Sequence, residues 1–400
     1  MTETLAAADA LLRHDGGQLG QALAGLLAAA PHPLPTIRVL AADTPGAGSA
    51  LAGTQRATPG ESWLPVVGEL DRVVIGPLVR PGQPGCDRCL DARRAGARAD
   101  AAEDAALHAA HGARLDGSPS PLLTPLAAAL AARLALREAA PVAAGDRSAA
   151  PEVVLLRLRD LRISRHRLLP DPHCPHCGTL PEDSPAAAVI PRVTRPKPDP
   201  GVLRVRDLRA EEAELDARYV DDETGVIKGL QPRGLHALPF VESKVGPRES
   251  VDGGYGRAFD FRSARVTAIA EALERLGGGR PGGRRTTVEG CYRELADRYP
   301  GGVLDPAGVG GHEPHRYQEP GFPLRAYQPE RVMPWVWGYS LTANSRSWCP
   351  RASPTTGSAG TGRRTIPSSR RSPTAALSAA AWRRPHCTGC WNSPNATPSC

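Results

Sequence analysis

Two cysteine pairs, Cys86-Asp87-Arg88-Cys89 and Cys174-Pro175-His176-Cys177-Gly178, constrain this chain more than any other feature of its sequence. Two thiolates separated by two residues reach one metal ion from a tight turn, and two such pairs complete a tetrahedral four-sulfur site with no open position. A closed site of that kind is structural. It obliges two segments far apart in sequence to lie side by side in the fold. The competing reading is a pair of local disulfides or two unconnected turns. The N-terminus favours metal: Met1-Thr2-Glu3-Thr4 is acidic, and Arg13, His14 and Asp15 interrupt the apolar stretch after it, so no secretory leader is written there. Thiols of a cytoplasmic protein stay reduced, which makes zinc on Cys86, Cys89, Cys174 and Cys177 the expectation. His173 and His176 are alternative ligands, although their spacing suits the lining of the second turn.

The chain has 400 residues, enough for two or three domains, and contains no uninterrupted apolar run of membrane-spanning length. Its 42 glycines and 41 prolines favour folded domains with irregular connections over wholesale disorder. Strands are expected at Thr36–Leu40, Arg72–Pro77 and Glu152–Leu158, and Ala-rich helices over 90–112 and 122–140. That alternation reads as an open α/β sheet. The Pro-rich run from Ala186 to Pro200 is the best candidate for an interdomain linker.

A net charge of +7 invites a nucleic-acid partner, but its distribution argues against one. Residues 344–400 hold eight arginines and no Asp, Glu or Lys, so the first 343 residues carry 41 basic against 42 acidic groups.

In the second half, Gly253-Gly254-Tyr255-Gly256-Arg257 precedes a helical pattern with Val266, Ile269, Leu273 and Leu276 as its buried stripe. Asp260 and Ser263 suit its start, and Gly277-Gly278-Gly279 its end. Glu271 and Glu274 fall on one face, at the edge of that stripe. Spacing alone permits a solvated face or a carboxylate pair holding magnesium beneath a nucleotide, and neither the Rossmann fingerprint nor Walker A is spelled out.

The run Arg257–Arg275, with Tyr219-Val220-Asp221 and Thr224-Gly225-Val226-Ile227 before it and Trp335-Val336-Trp337-Gly338-Tyr339-Ser340-Leu341-Thr342 after it, resembles the YcaO family, which uses ATP to activate backbone amides. The N-terminal half is similar to the ThiF-like partner of azole-forming peptide cyclodehydratases, through Val73-Val74-Ile75-Gly76-Pro77, Gly85–Cys89, His166-Arg167 and Leu169–Gly178. The resemblance implies a mixed α/β and α+β chain. A degenerate Rossmann-type, zinc-bearing, leader-presenting domain spans 1–187, a linker 188–202, the N-terminal part of a YcaO domain 203–343 and a disordered tail 344–400. It further implies that Glu271 and Glu274 ligate magnesium and phosphate, that Tyr255, Gly256 and Arg257 lie near the phosphates, and that Arg275 supports them. ATP and Mg2+ are then the cofactors besides zinc. The leader and core of a ribosomally made precursor peptide are the partners, and its Cys, Ser or Thr residues become azolines as the amide oxygen leaves as phosphate. A flavin-dependent azoline oxidase and a homodimer are further partners that the family admits. The precursor's own side chain is the nucleophile in this chemistry, and no Ser-His-Asp arrangement stands out.

After Thr342 the composition changes to Ser, Thr, Pro, Arg, Cys and Trp. Re-read in a shifted frame, Asn344–Gly357 and Thr365–Cys400 can encode a continuation resembling the next YcaO segment, including a Ser-Asn-Gly turn and a second Glu-x-x-Glu-Arg helix. The expectation is an out-of-frame tail that leaves the carboxylate set incomplete and the chain inactive. Cys387-Thr388-Gly389-Cys390 is then an accident of frame, and Cys291 an ordinary helix residue.

Two other functions compete. A zinc-stabilised module that captures a leader peptide without catalysis fits the first half. An adenylating enzyme is disfavoured because Gly46-Ala47-Gly48 does not supply its glycine fingerprint.

Overall fold

The computed structural model describes residues 11–29, 37–58, 60–97, 101–143, 150–190, 194, 196–197, 199–201, 207–233, 238–245, 253–279, 288–309, 311–322 and 325–350. The chain divides into two units: 1–179 with 213–235 and 241–248, and 180–212 with 236–240 and 249–400. The sequence pattern suggests a single cut near 187. Two later segments return to the first unit instead.

The first unit is built on a six-stranded sheet whose strands lie in chain order: β1 (Leu12–His14), β2 (Ile37–Ala42), β3 (Ser62–Gly68), β4 (Arg72–Ile75), β5 (Glu152–Arg157) and β6 (Ile163–Arg167). β1 to β3 are parallel, joined by crossover helices α1 (Gln18–Ala29) and α2 (Pro45–Arg56). From β3 onward the pairs are antiparallel. The expected α/β sheet is therefore parallel only in its first half. α2 starts where Thr44 caps the Ala47 N–H at 3.3 Å and Pro45 takes the first turn, which needs no donor. In place of one helix over 90–112 there are α3 (Asp87–Ala97) and α4 (Ala101–Gly117), and α5 (Pro125–Ala143) fills the second expected span.

Alternation along the central strands assigns each residue a face. Val154 and Leu156 of β5, with Val73 and Ile75 of β4, pack under Leu19, Leu23 and Leu27 of α1 and the alanine stripe Ala128, Ala131, Ala132, Ala135 of α5. Val153, Leu155 and Val74 face the other way, onto Leu90, Leu168 and the buried cysteines. Both faces of the sheet are thus covered, one of them by the cysteine pairs. Among the described residues, no helix is long and apolar enough to cross a membrane.

Following α6 (Glu212–Tyr219), strands β7 (Ile227–Arg233) and β8 (Phe240–Val245) are neighbours. In the second unit, β9 (Tyr255–Arg257) lies against α7 (Phe261–Gly279). Farther on, β10 (Val288–Gly290), β11 (Met333–Ser340) and β12 (Ser345–Pro350) form an antiparallel sheet. α8 (Tyr292–Arg298) begins in a capping box made by Cys291 and Glu294, so Cys291 is a helix cap and not a mid-helix residue.

β12 corrects the expectation of disorder from 344 onward. Trp348 pairs with Trp337 at a ring separation of 4.0 Å, and its backbone exchanges 2.8 Å hydrogen bonds with Gly302 and Leu304. With Leu295 and Trp335 it forms this unit's aromatic core. The turn before β12 closes through Asn344 in the left-handed region, whose amide oxygen accepts the Tyr339 hydroxyl at 2.6 Å. The rest of the expected out-of-frame tail, 351–400, lies outside the described residues.

Candidate functional site

The four cysteines meet as their spacing predicts. Cys86 and Cys174 sulfurs are 3.5 Å apart, those of Cys89 and Cys177 3.3 Å, and all four lie within 4.8 Å of one another. A metal–sulfur bond of about 2.3 Å sets tetrahedral edges of roughly 3.8 Å, so the sulfurs span the right volume for one ion. Each pair is shaped by its own turn. The Cys86 carbonyl accepts from Cys89 and Leu90 N–H as α3 begins. The second knuckle closes when Gly178 N–H donates to the Cys174 carbonyl, and a β-carbon on Gly178 would come within 2.4 Å of that oxygen. Arg93 fastens one knuckle to the other through the carbonyls of Leu169 and Pro170.

Backbone donors already point at the sulfurs: Gly85 N–H to Cys177 at 3.3 Å and Asp171 N–H to Cys89 at 3.4 Å. Such outer contacts orient and stabilise thiolate ligands. The Cys86 and Cys89 thiols donate to Cys177 and hold it well below the ordinary thiol range. The same contacts push Cys86 up and Cys89 up to about 12. A cation at the centre of the four sulfurs favours their thiolate forms. The cluster can hold a metal ion. Its ligand set, among the described residues, includes neither His173 nor His176.

The second constellation is the β9–α7 pair. Asp260 caps α7 by accepting Ser263 N–H at 2.7 Å, as expected, but the helix continues through Gly277 to Gly279. The helix face toward β9 is small: Ala264, Ala268 and Ala272 are fully buried, with Val266 and Ile269 beside them. Leu273 and Leu276, assigned to the buried stripe by sequence, are only half-buried. β9 approaches that face so closely that a β-carbon on Gly256 would stand 1.8 Å from the Ala264 carbonyl oxygen. Only glycine fits there.

Glu271 is half-buried and fully engaged. One oxygen accepts Tyr255 N–H at 2.5 Å, and the other pairs with Arg275 at 2.6 Å. Arg275 also donates to the Gly253 carbonyl at 2.6 Å and stacks over the Tyr255 ring at 5.2 Å. Arg257 covers Phe240, whose ring stacks on Tyr255 at 6.0 Å. Glu274 is exposed on the same helix. The structure therefore brings Tyr255, Gly256, Glu271 and Arg275 into one cluster, with Arg257 at the end of an aromatic ladder.

A third cluster is not evident from sequence, although its members sit in the His166-Arg167 and Tyr219-Val220-Asp221 motifs. His166 Nδ1 lies 2.9 Å from Asp221 Oδ2, and Nε2 lies 2.8 Å from the Ser164 hydroxyl. Burial pulls the imidazole toward neutrality, but the Asp221 hydrogen bond and the charges of Asp221, Glu223 and Asp222 outweigh it and raise its basicity. The His166–Asp221 hydrogen bond fastens the Asp221–Thr224 turn to β6. That turn is closed by Glu223 and Thr224 N–H on Asp221 Oδ1 and by the Thr224 hydroxyl on the Arg167 carbonyl. A histidine in one motif and a carboxylate in the other were the available signal.

Residues 255–369 match the family model for YcaO cyclodehydratases, which bind ATP and Mg2+. That match begins at the β9–α7 pair. The match continues past Thr342, so the family pattern does not stop where the composition changes. Among solved structures, a heterocyclase in complex with substrate and cofactor is similar at a TM-score of 0.62 and 17% identity, over 90% of this chain and 53% of that one. The heterocyclase TruD is similar at 0.56 and 17%, over 90% of this chain and 51% of that one. At such identity the likeness is one of fold, and the chain spans about half the length of those structures. E. coli MccB is similar at a TM-score of 0.28 and 18% identity, over 36% of this chain and 40% of that one. No curated protein matches the chain in sequence.

Proposed function

We propose that the chain comes from an ATP-dependent enzyme that cyclodehydrates Cys, Ser or Thr of a ribosomally made precursor peptide to azolines. One observation carries this reading: the YcaO-type match begins at Tyr255, where the strand bearing Gly256 lies against the Glu271 helix. MgATP, when bound, supplies the phosphoryl group with which the amide oxygen departs. Glu271 and Glu274 are the carboxylates for its metal, the Tyr255-Gly256-Arg257 strand borders the phosphates, and Arg275 sets the position of Glu271. Ligation by Glu271 requires Arg275 to yield one carboxylate oxygen, an exchange that the neighbouring Gly253 carbonyl makes easier by retaining the guanidinium.

In this reading Cys86, Cys89, Cys174 and Cys177 hold structural zinc, and residues 1–187 present the precursor's leader. Peptide leaders commonly bind by adding a strand to a sheet edge, which uses backbone groups and leaves little side-chain signature. We further propose that much of 344–400 is read out of frame. That region contains no acidic residue to complete a second carboxylate set. Phosphoryl transfer depends on complete metal coordination and positioning, and an out-of-frame 344–400 supplies none of a second carboxylate set.

The test is incubation of the full chain, and of a frame-restored version, with precursor peptide, ATP and Mg2+. The restored chain should show loss of one water mass per ring and the present one none. Dehydration by the present chain overturns the out-of-frame reading, and its absence from a folded restored chain overturns the enzyme. Labelled precursor titrated without ATP distinguishes the second reading, a zinc-stabilised leader-binding module, in which binding occurs without turnover in either version.

A further inference from the structure

His166 stands on β6, at one edge of the six-stranded sheet, and is 8% exposed. Ser164, two residues back on the same face of the strand, holds the ring from one side, its hydroxyl 2.8 Å from Nε2. The other ring nitrogen faces the segment that returns to the first unit after residue 212: Asp221 Oδ2 lies 2.9 Å from Nδ1 and Oδ1 3.1 Å. The two oxygens of Asp221 differ in their duties. Oδ1 accepts Glu223 N–H at 2.8 Å, Thr224 N–H at 2.7 Å and the Thr224 hydroxyl at 3.2 Å, which commits it to the turn. Oδ2 meets only the imidazole among the described residues. Asp222, next in the chain and exposed, brings a third group, and one ligand atom from each of His166, Asp221 and Asp222 lies within 4.8 Å of the other two.

The charges around this group leave one carboxylate over. Glu223 is matched by Arg72 at 2.6 Å and Arg94 at 3.8 Å, and Asp221 by His166. Asp222 has no hydrogen-bond or ion-pair partner among the described residues. What separates the group from an ordinary acidic surface is the imidazole, a buried nitrogen held beside two carboxylates from a different segment. Two ligands at right angles, each about 2.1 Å from a metal, stand about 3.0 Å apart, and opposite ones about 4.2 Å. The 2.9 Å between Nδ1 and Oδ2 and the reach of Asp222 fit that frame, so an ion can replace the proton between His166 and Asp221 without moving the turn. Ser164 then serves as the outer contact that accepts the remaining ring N–H, the usual companion of a ligating histidine. One imidazole with two carboxylates suits a first-row transition ion better than Mg2+ or Ca2+, which take oxygen alone.

We propose that His166, Asp221 and Asp222 form a second divalent-metal site, distinct from the four cysteines, that takes a first-row transition ion on one nitrogen and two oxygens. The assignment is independent of the cyclodehydratase reading. Three protein ligands, one of them exposed, leave positions open to water, so this ion exchanges where one held by four sulfurs does not. It ties β6 to the 213–235 segment.

The test is equilibrium dialysis of the full chain, as wild type and as Asp222→Asn, against Co2+, with cobalt and zinc contents and the absorption spectrum read together. Asp222 is exposed, so the variant should melt at the wild-type Tm without cobalt. Wild type should take up one equivalent of cobalt more than the variant, or bind that equivalent at least about 10-fold more tightly, the least effect expected when a metal site loses a supporting group. Its zinc content should not change, and the intense sulfur-to-cobalt absorption should be absent. Equal uptake by the two proteins, or no uptake by wild type, overturns the proposal. Uptake that expels zinc and brings the sulfur band assigns the cobalt to the cysteines and overturns it equally. His166→Gln provides a second variant: it should lose the same equivalent, and a His166→Gln chain that binds cobalt as wild type does would remove the imidazole from the site.

Discussion

Replacing Gly256 with Ala tests the β9–α7 contact on which the proposed nucleotide site depends. The added carbon would lie 1.8 Å from the Ala264 oxygen and 2.7 Å from both the Ala264 carbonyl carbon and the Ala268 nitrogen. A comfortable carbon–oxygen approach is about 3.3 Å, so the strand must retreat by roughly 1.5 Å. Helix backbone cannot yield as a flexible side chain does. Overpacking of this kind costs about 1–3 kcal/mol. The retreat also breaks the Tyr255 N–H bond to Glu271, a hydrogen bond to a charged acceptor worth about 1.5–3 kcal/mol. The two add to about 2.5–6 kcal/mol, which for a unit of this size is a Tm loss of roughly 10 °C. Thermal and urea unfolding measure the loss, and hydrogen exchange across 253–260 localises it. A folded Gly256→Ala chain whose Tm and exchange both match wild type would refute the argument that strand and helix are in backbone contact.

The proposed metal centre predicts one zinc per chain by elemental analysis, and Cys174→Ser should lose it together with several degrees of Tm; retention of full metal content would exclude the four-sulfur assignment. Trp348→Ala should cost about 3–5 kcal/mol in denaturant unfolding because the ring is 5% exposed and packs on Trp337, whereas a neutral result would return residues beyond 343 to the status of an unfolded tail. For the His166–Asp221 pair, burial opposes both charges, yet the hydrogen bond leaves His166 raised and Asp221 lowered. A raised histidine contributes stability below its unfolded value near 6.5 that is lost as pH rises through the folded value, and a lowered aspartate contributes stability that is lost in acid. Asp221→Asn should therefore destabilise most between those limits, by about 1–3 kcal/mol, with the difference from wild type shrinking toward pH 9 in unfolding measured across pH. A difference that grows with pH would reverse the sign of the argument.

How much of this was legible from residues depends on the kind of constraint. Thiolate spacing is dictated by a metal's radius, so Cys86, Cys89, Cys174 and Cys177 could be grouped before any fold was known. The α7 cap was legible for a similar reason, since Asp260 reaches an N–H three residues away. Helix termination at Gly277 was not, because glycine weakens a helix without ending one that packing holds. β3 is absent from the expected strands; Pro65 inside it argues against a strand by sequence, although its carbonyl accepts from Gly76. β12 was hidden by a composition that resembled disorder. The Trp337–Trp348 pairing decides its fate, and it is a property of the two residues together. The same holds for Asp43, whose carboxylate accepts Gln18 N–H and Leu19 N–H at the start of α1: its partner turn lies well upstream, and neither Asp15-Gly16-Gly17 nor a lone aspartate after β2 announces the contact. The legible parts were those in which one chemical demand fixes the spacing within a short window. Contacts that join two windows, each ordinary alone, required the sheet to bring β1 beside β2 and β11 beside β12 before their chemistry could be read.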